Sequence, residues 1–151
     1  MKISNSNKSA ILFREQNVTY SNLLSRINKY SKYLNISPSE KVGIFLENRP
    51  EWAYFFYAVW KSKGINVLID FMSNSDEVNN IIINSNLTTI VVSTTTYKII
   101  KDLLENVDIK IKVINVDDKI DLGADEMEIP TEFDFSSGRE LNDISVIIYT
   151  S

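Results

Sequence analysis

The chain has 151 residues, 44% of them hydrophobic and 24% charged, a balance that suits one globular domain with its own core and excludes disordered and fibrous classes. It has no cysteine and no histidine, which removes disulfides, thiol nucleophiles, imidazole bases and most zinc sites. The net charge of −4 is local: residues 117–143 hold ten acidic side chains against Lys119 and Arg139, and the remainder lacks the dense Lys/Arg stripe that nucleic acid demands, so no nucleic-acid partner is expected.

The opening residues lack the apolar stretch of a secretory signal, and no apolar run approaches the roughly 20 residues needed to span a bilayer, so a cytoplasmic protein without a transmembrane segment is expected. Residues 10–14 and 17–19 read as two short strands around a Glu15-Gln16 turn. From about Ser21, Leu23, Leu24, Ile27, Tyr30 and Leu34 recur at helical spacing, with Thr19 or Ser21 available as the cap. Residues 41–46 form an apolar run of strand length. Pro50 then suits the first turn of a helix whose Trp52, Phe55, Phe56, Val59 and Trp60 share a face, and Gly64 supplies the expected stop.

The alternation repeats: strand 66–69, helix 75–84, strand 88–92, helix 97–104 and strand 110–116, with Ser73 and Asp76 at capping-box spacing. Crossovers of this length favour an α/β fold, a mainly parallel sheet with helices on both faces and a small N-terminal hairpin. The acidic segment 117–143 shows no sustained period and reads as a surface excursion that includes a short strand near Met127–Ile129 or is partly mobile. Residues 144–149 form a last apolar strand with almost nothing after it, as if the next loop had been left out.

Three segments, in order, resemble the adenylate-forming (AMP-binding) superfamily of acyl-CoA synthetases, luciferases and peptide-synthetase adenylation domains. Thr19-Tyr20-Ser21-Asn22-Leu23 is similar to that family's Thr-Tyr-x-x-Leu helix entry. Residues 41–78 resemble its strand, Asn-x-Pro-Glu helix, Gly and next strand, and residues 47–52 and 70–73 look closer to fatty-acyl-CoA synthetases than to peptide-synthetase domains. Asn66-Val67 stands where the family typically has Pro before the second strand's apolar pair. Ile147-Ile148-Tyr149-Thr150-Ser151 looks like the strand and first residues of the Tyr-Thr-Ser-Gly phosphate loop, without its glycines.

The resemblance implies that residues 1–151 are the N-terminal subdomain of a longer ligase, inactive alone. That ligase would use ATP, Mg²⁺ and coenzyme A on a fatty acid or another carboxylate. Thr150 and Ser151 would be the first phosphate-binding hydroxyls, with Thr150 also near the metal; no catalytic residue is expected within the chain, and the catalytic Lys lies beyond it. The alternatives are a fragment of an amino-acid or other carboxylate adenylation enzyme and a non-catalytic α/β binding module. A receiver-type module would need paired acids after its first core strand, where this chain has Glu47 and Asn48.

Other residues have plainer readings. The aromatic face of residues 52–60 is expected to pack as core, Glu47 and Glu51 to favour a helix start, and Arg49 to be solvated. Asp70 reads as a turn residue at the ligand edge, and the acidic segment lacks calcium-loop spacing. An unpaired strand at residues 144–149 would also favour self-association.

Overall fold

A computed structural model describes residues 2–106, 110–122, 130–134, 138, 140 and 143–149. The first elements are β1 (Lys2–Ser4), the hairpin strands β2 (Ser9–Phe13) and β3 (Gln16–Thr19), and α1 (Tyr20–Leu34). Five parallel strands follow, β4 (Lys41–Phe45), β5 (Ile65–Leu68), β6 (Thr89–Val92), β7 (Lys112–Asn115) and β9 (Val146–Ile148), in the order β7-β6-β4-β5-β9. They alternate with α2 (Pro50–Lys61), α3 (Ser75–Ser85) and α4 (Thr94–Asn106), while β8 (Glu132–Asp134) pairs with β1.

The period-2 alternation of β4 explains the two-sided core. Val42, Ile44 and Leu46 join α1 and α2 on one face, whereas Phe45 joins Val67, Ile90 and α3 residues on the other. Each fully buried large apolar side chain, such as Phe55 or Ile82, contributes about 1.5–3 kcal/mol relative to exposure. Gly43 leaves room for Leu87, whose Cδ2 would lie 3.0 Å from an added Cβ.

Local chemistry moves several boundaries. Arg14 takes the left-handed conformation at φ 53°, so the hairpin turns on Arg14-Glu15 and Gln16 enters β3 opposite Phe13. The stop of α2 is at Lys63, with φ 60°, and not at Gly64. Gly64 is instead required for space, since a Cβ there would stand 2.6 Å from Ile36 Cδ1 and 3.1 Å from the Glu40 carbonyl. The capping box of α3 is Asn74 with Glu77, one residue beyond the expected Ser73 and Asp76: Asn74 Oδ1 accepts from Glu77 N at 3.0 Å, and Glu77 Oε2 from Asn74 N at 2.8 Å.

The expected strand at 127–129 lies outside the described residues. The strand found in the acidic segment is β8, whose Phe133 stands opposite Ile3 and 5.0 Å below the Lys61 ammonium. On α2, Phe55 is fully buried, while Trp52, Phe56 and Trp60 are half-buried and pack against the same core.

Candidate functional site at the carboxyl edge of the sheet

Because the five core strands are parallel, their carboxyl ends share one edge, where the loops into α2 and α4 begin; ligands of open α/β sheets collect at such edges. Glu47, Asn48 and Arg49 follow β4, Asp70 follows β5, Ser93 follows β6, Asp117 follows β7 and Tyr149 follows β9.

Ser93 and Thr96 form a reciprocal cap that starts α4 at Thr94, three residues before apolar spacing alone places it. Ser93 N donates to Thr96 Oγ1 at 2.9 Å, and Thr96 N donates to Ser93 Oγ at 3.1 Å. Thr96 Oγ1 also donates to the Phe45 carbonyl at 2.7 Å, which ties the helix start to the end of β4. Ser93 Oγ donates to Glu47 Oε1 at 3.0 Å. The other oxygen, Glu47 Oε2, is buried without a hydrogen-bond partner among the described residues.

Arg49 is not the solvated side chain expected from sequence. Its Nε donates to Glu51 Oε2 and its Nη1 to Asp117 Oδ1, both at 2.8 Å, and the side chain is 25% exposed. Burial works against its charge, yet the Glu51 and Asp117 carboxylates raise its affinity for the proton. Asp117 Oδ2 accepts from Thr94 N at 2.8 Å. That amide at the start of α4, seconded by Arg49, holds the Asp117 carboxyl below the usual carboxylate range despite the opposing effect of burial. The first acid of the acidic segment thus joins β7, α2 and α4.

Asp70 performs its expected turn role: its Oδ1 accepts from Met72 N at 2.9 Å, and its carbonyl accepts from Ser73 N at 2.9 Å. Two clefts open along the edge. One of about 390 Å³ lies between the hairpin residues Phe13, Arg14 and Gln16 and residues 47–51. The other, about 490 Å³, is lined by Asp70, Met72, Glu77 and Tyr149 among others.

Thr150 and Ser151, the residues expected to meet phosphate and metal, lie outside the described residues. Tyr149, directly before them, follows the end of β9 at the carboxyl edge. Among the described residues no group of three acidic side chains is placed to hold a metal ion, and no helix is long and apolar enough to cross a membrane.

A family model described as AMP-binding enzyme matches residues 4–151. The chain belongs to the AMP-binding enzyme family. Solved structures carry the same fold: a long-chain-fatty-acid-CoA ligase (FadD1) from Archaeoglobus fulgidus is 23% identical with a TM-score of 0.75, over 98% of this chain and 30% of that one. The anthranilate CoA ligase AuaEII, in complex with anthranoyl-AMP, is 17% identical with a TM-score of 0.80, over 96% of this chain and 28% of that one. The nonribosomal peptide synthetase FmoA3 is 17% identical with a TM-score of 0.71, over 96% of this chain and 15% of that one. No curated protein matches. This AMP-binding chain therefore spans less than a third of the length of each of these three structures, and at these identities the likeness establishes the fold.

Sequence reasoning missed Ser93, Thr96 and the Arg49–Asp117 pair. Ser93-x-x-Thr96 is a capping signature that was legible in the sequence. Asp117 lies 68 residues from Arg49, and no local pattern joins them.

Proposed function

We propose that residues 1–151 are the N-terminal subdomain of an ATP-dependent acyl-CoA synthetase acting in the cytoplasm, and that the chain alone is inactive. The longer polypeptide would join a fatty acid to the α-phosphorus of ATP, release pyrophosphate, and pass the acyl group from the adenylate to the thiol of coenzyme A. Membership of the AMP-binding family supports adenylate chemistry. The fatty-acyl assignment rests on residues 47–52 and 70–73, which resemble acyl-CoA synthetases more than peptide-synthetase domains.

The observation that carries the reading is the placement of β9. It runs parallel to β5, with Leu68 in register with Ile148, so the backbone leaves the sheet at Tyr149 on the edge where Glu47, Asp70 and Ser93 gather. In this reading Thr150 and Ser151 offer the first hydroxyls to the nucleotide phosphates, and Thr150 also stands near the Mg²⁺ they carry. A turn rich in glycine suits the rest of such a cradle, because convergent amide dipoles meet phosphate oxygens without side-chain bulk. The described residues do not themselves fit a nucleotide: Gly43, Gly64 and Gly138 all lie away from this edge, and the acids form no metal cage. Glu47 Oε2 is a buried acceptor with no partner among the described residues, but one carboxylate does not hold magnesium. No catalytic step is assigned to these residues.

The test compares the 151-residue chain with a polypeptide extended along its gene, each offered fatty acids, aryl acids or amino acids with ATP and Mg²⁺ while pyrophosphate release is followed. Fatty-acid-dependent release by the extended polypeptide alone is expected. Release dependent on amino acids would transfer the assignment to a peptide-synthetase type of adenylation enzyme, and release by the 151-residue chain would overturn its inactivity. A gene that stops at Ser151 would favour the non-catalytic module.

A further inference from the structure

A further cleft, of about 480 Å³, lies between β3, α1 and α2 and is built almost wholly from polar side chains. Gln16 and Asn17 of β3, Asn22, Arg26 and Lys29 of α1, and Tyr54 of α2 line it among others. Two of its lining residues are cations and none is an acid. Positions 22, 26 and 29 share one face of α1, which makes Arg26 and Lys29 neighbours whose like charges repel. The same helix carries Lys32 as a third cation and has no acid along its length. Lys29 is only 7% exposed, and a counter-charge acts more strongly on a buried ammonium than on one in water. Glu51, the acid that acts on Tyr54, lies in the neighbouring cleft, where its Oε2 accepts from Arg49 Nε at 2.8 Å. Burial raises the Tyr54 pKa, so its hydroxyl stays a donor at neutral pH.

We infer that this cleft binds a phosphoryl dianion, with Arg26 and Lys29 supplying the balancing charges and the Asn17, Asn22 and Tyr54 side chains supplying neutral donors. A carboxylate offers one charge and two oxygens. A phosphoryl group offers nearly two charges and three oxygens at neutral pH, the closer complement to two cations ringed by amides and hydroxyls. The planar guanidinium fork of Arg26 suits a pair of those oxygens, and the Lys29 ammonium acts as a point charge. None of the lining residues belongs to the loops that leave the carboxyl ends of the parallel strands. The site is therefore separate from the one proposed at Thr150.

The experiment titrates the 151-residue chain with inorganic phosphate, AMP or acetate at constant ionic strength and about pH 7.5, where the phosphoryl group is a dianion. Backbone amide resonances are followed by NMR. Saturable shifts at Gln16, Asn17, Asn22 and Ser25 are expected with phosphate, at a Kd of about 1 mM or tighter. Acetate is expected to bind at least about tenfold more weakly. Arg26→Gln and Lys29→Met are each expected to weaken phosphate binding at least about tenfold, whereas Lys101→Gln on exposed α4 leaves it unchanged. Tighter binding of AMP than of phosphate at the same amides would support the site with a nucleotide as the source of the phosphoryl group; the reverse order would support it with the free anion. Absence of saturable shifts, shifts confined to other amides, equal binding of acetate, or binding indifferent to Arg26→Gln would each overturn the assignment. Should Lys29→Met disturb the circular dichroism spectrum, Arg26→Gln, at an exposed side chain, still decides.

Discussion

Thr96 is 1% exposed, and its hydroxyl makes two of the bonds that fix the carboxyl edge, accepting from Ser93 N at 2.9 Å and donating to the Phe45 carbonyl at 2.7 Å. Thr96→Val keeps the side-chain volume and removes the hydroxyl, so a buried amide and a buried carbonyl each lose a partner. Leaving a buried polar group unsatisfied costs about 1–3 kcal/mol. Taking each of the two groups at the lower end of that range gives an expected total of about 2–3 kcal/mol. For a chain of this length that corresponds to a fall in Tm of roughly 4–12 °C. Thr96→Ser keeps both bonds and removes one methyl, at an expected cost of about 1 kcal/mol or less. Thermal unfolding followed by circular dichroism, with urea titration as a second measure, separates the two variants. Equal Tm values for Thr96→Val and Thr96→Ser would refute the role assigned to the hydroxyl.

Gly64→Ala places a Cβ within 3.0 Å of Val59 Cγ1 and closer still to Ile36, so a loss of about 1–3 kcal/mol is expected in urea titration; a neutral result would show that Ile36 swings away freely. Asn66 is fully buried; among the described residues its Oδ1 has no partner while its Nδ2 donates to the Phe56 carbonyl at 3.2 Å. Asn66→Val therefore removes one unsatisfied acceptor and one made bond and is expected to shift stability by no more than about 1 kcal/mol, read from the urea midpoint at unchanged slope; a larger loss would mean that the whole amide is satisfied in solution. Asp117 has a depressed folded-state pKa, so its contribution is present above the ordinary carboxylate range and disappears as pH falls through the folded value. From about pH 6 to about pH 3, wild type should therefore lose more stability than Asp117→Asn, and parallel pH profiles for the two proteins would contradict the bonding assigned to that carboxylate.

Elements governed by local pattern were legible in the sequence. The apolar runs of β4 and β6, the spacing of Leu23 to Leu34 in α1, and Pro50 at the start of α2 each report the face that must be buried, and the strand-helix alternation then leaves a parallel sheet as the natural arrangement. Caps were legible only to within a residue, because adjacent polar side chains compete: Asn74 displaced Ser73, and the Ser93-x-x-Thr96 signature outran the apolar spacing of α4. Pairings across long separations were not legible. β1 is three residues long and finds β8 about 130 positions away, and Arg49 finds Asp117 across the sheet edge.

Asn66 holds β9 through its backbone: the N–H donates to the Ser145 carbonyl at 2.9 Å, a bond in the β5–β9 ladder that positions the strand on which the proposed function depends.

The proposed function requires that β9 hand the chain to a phosphate site at Thr150. In the extended polypeptide, Thr150→Val should lower the rate of fatty-acid-dependent pyrophosphate release by about ten- to a hundredfold, as loss of a positioned donor to phosphate oxygens does, while Thr150→Ser retains most of it. Full activity in Thr150→Val, measured at saturating ATP and fatty acid, would contradict the placement of the nucleotide at the end of β9.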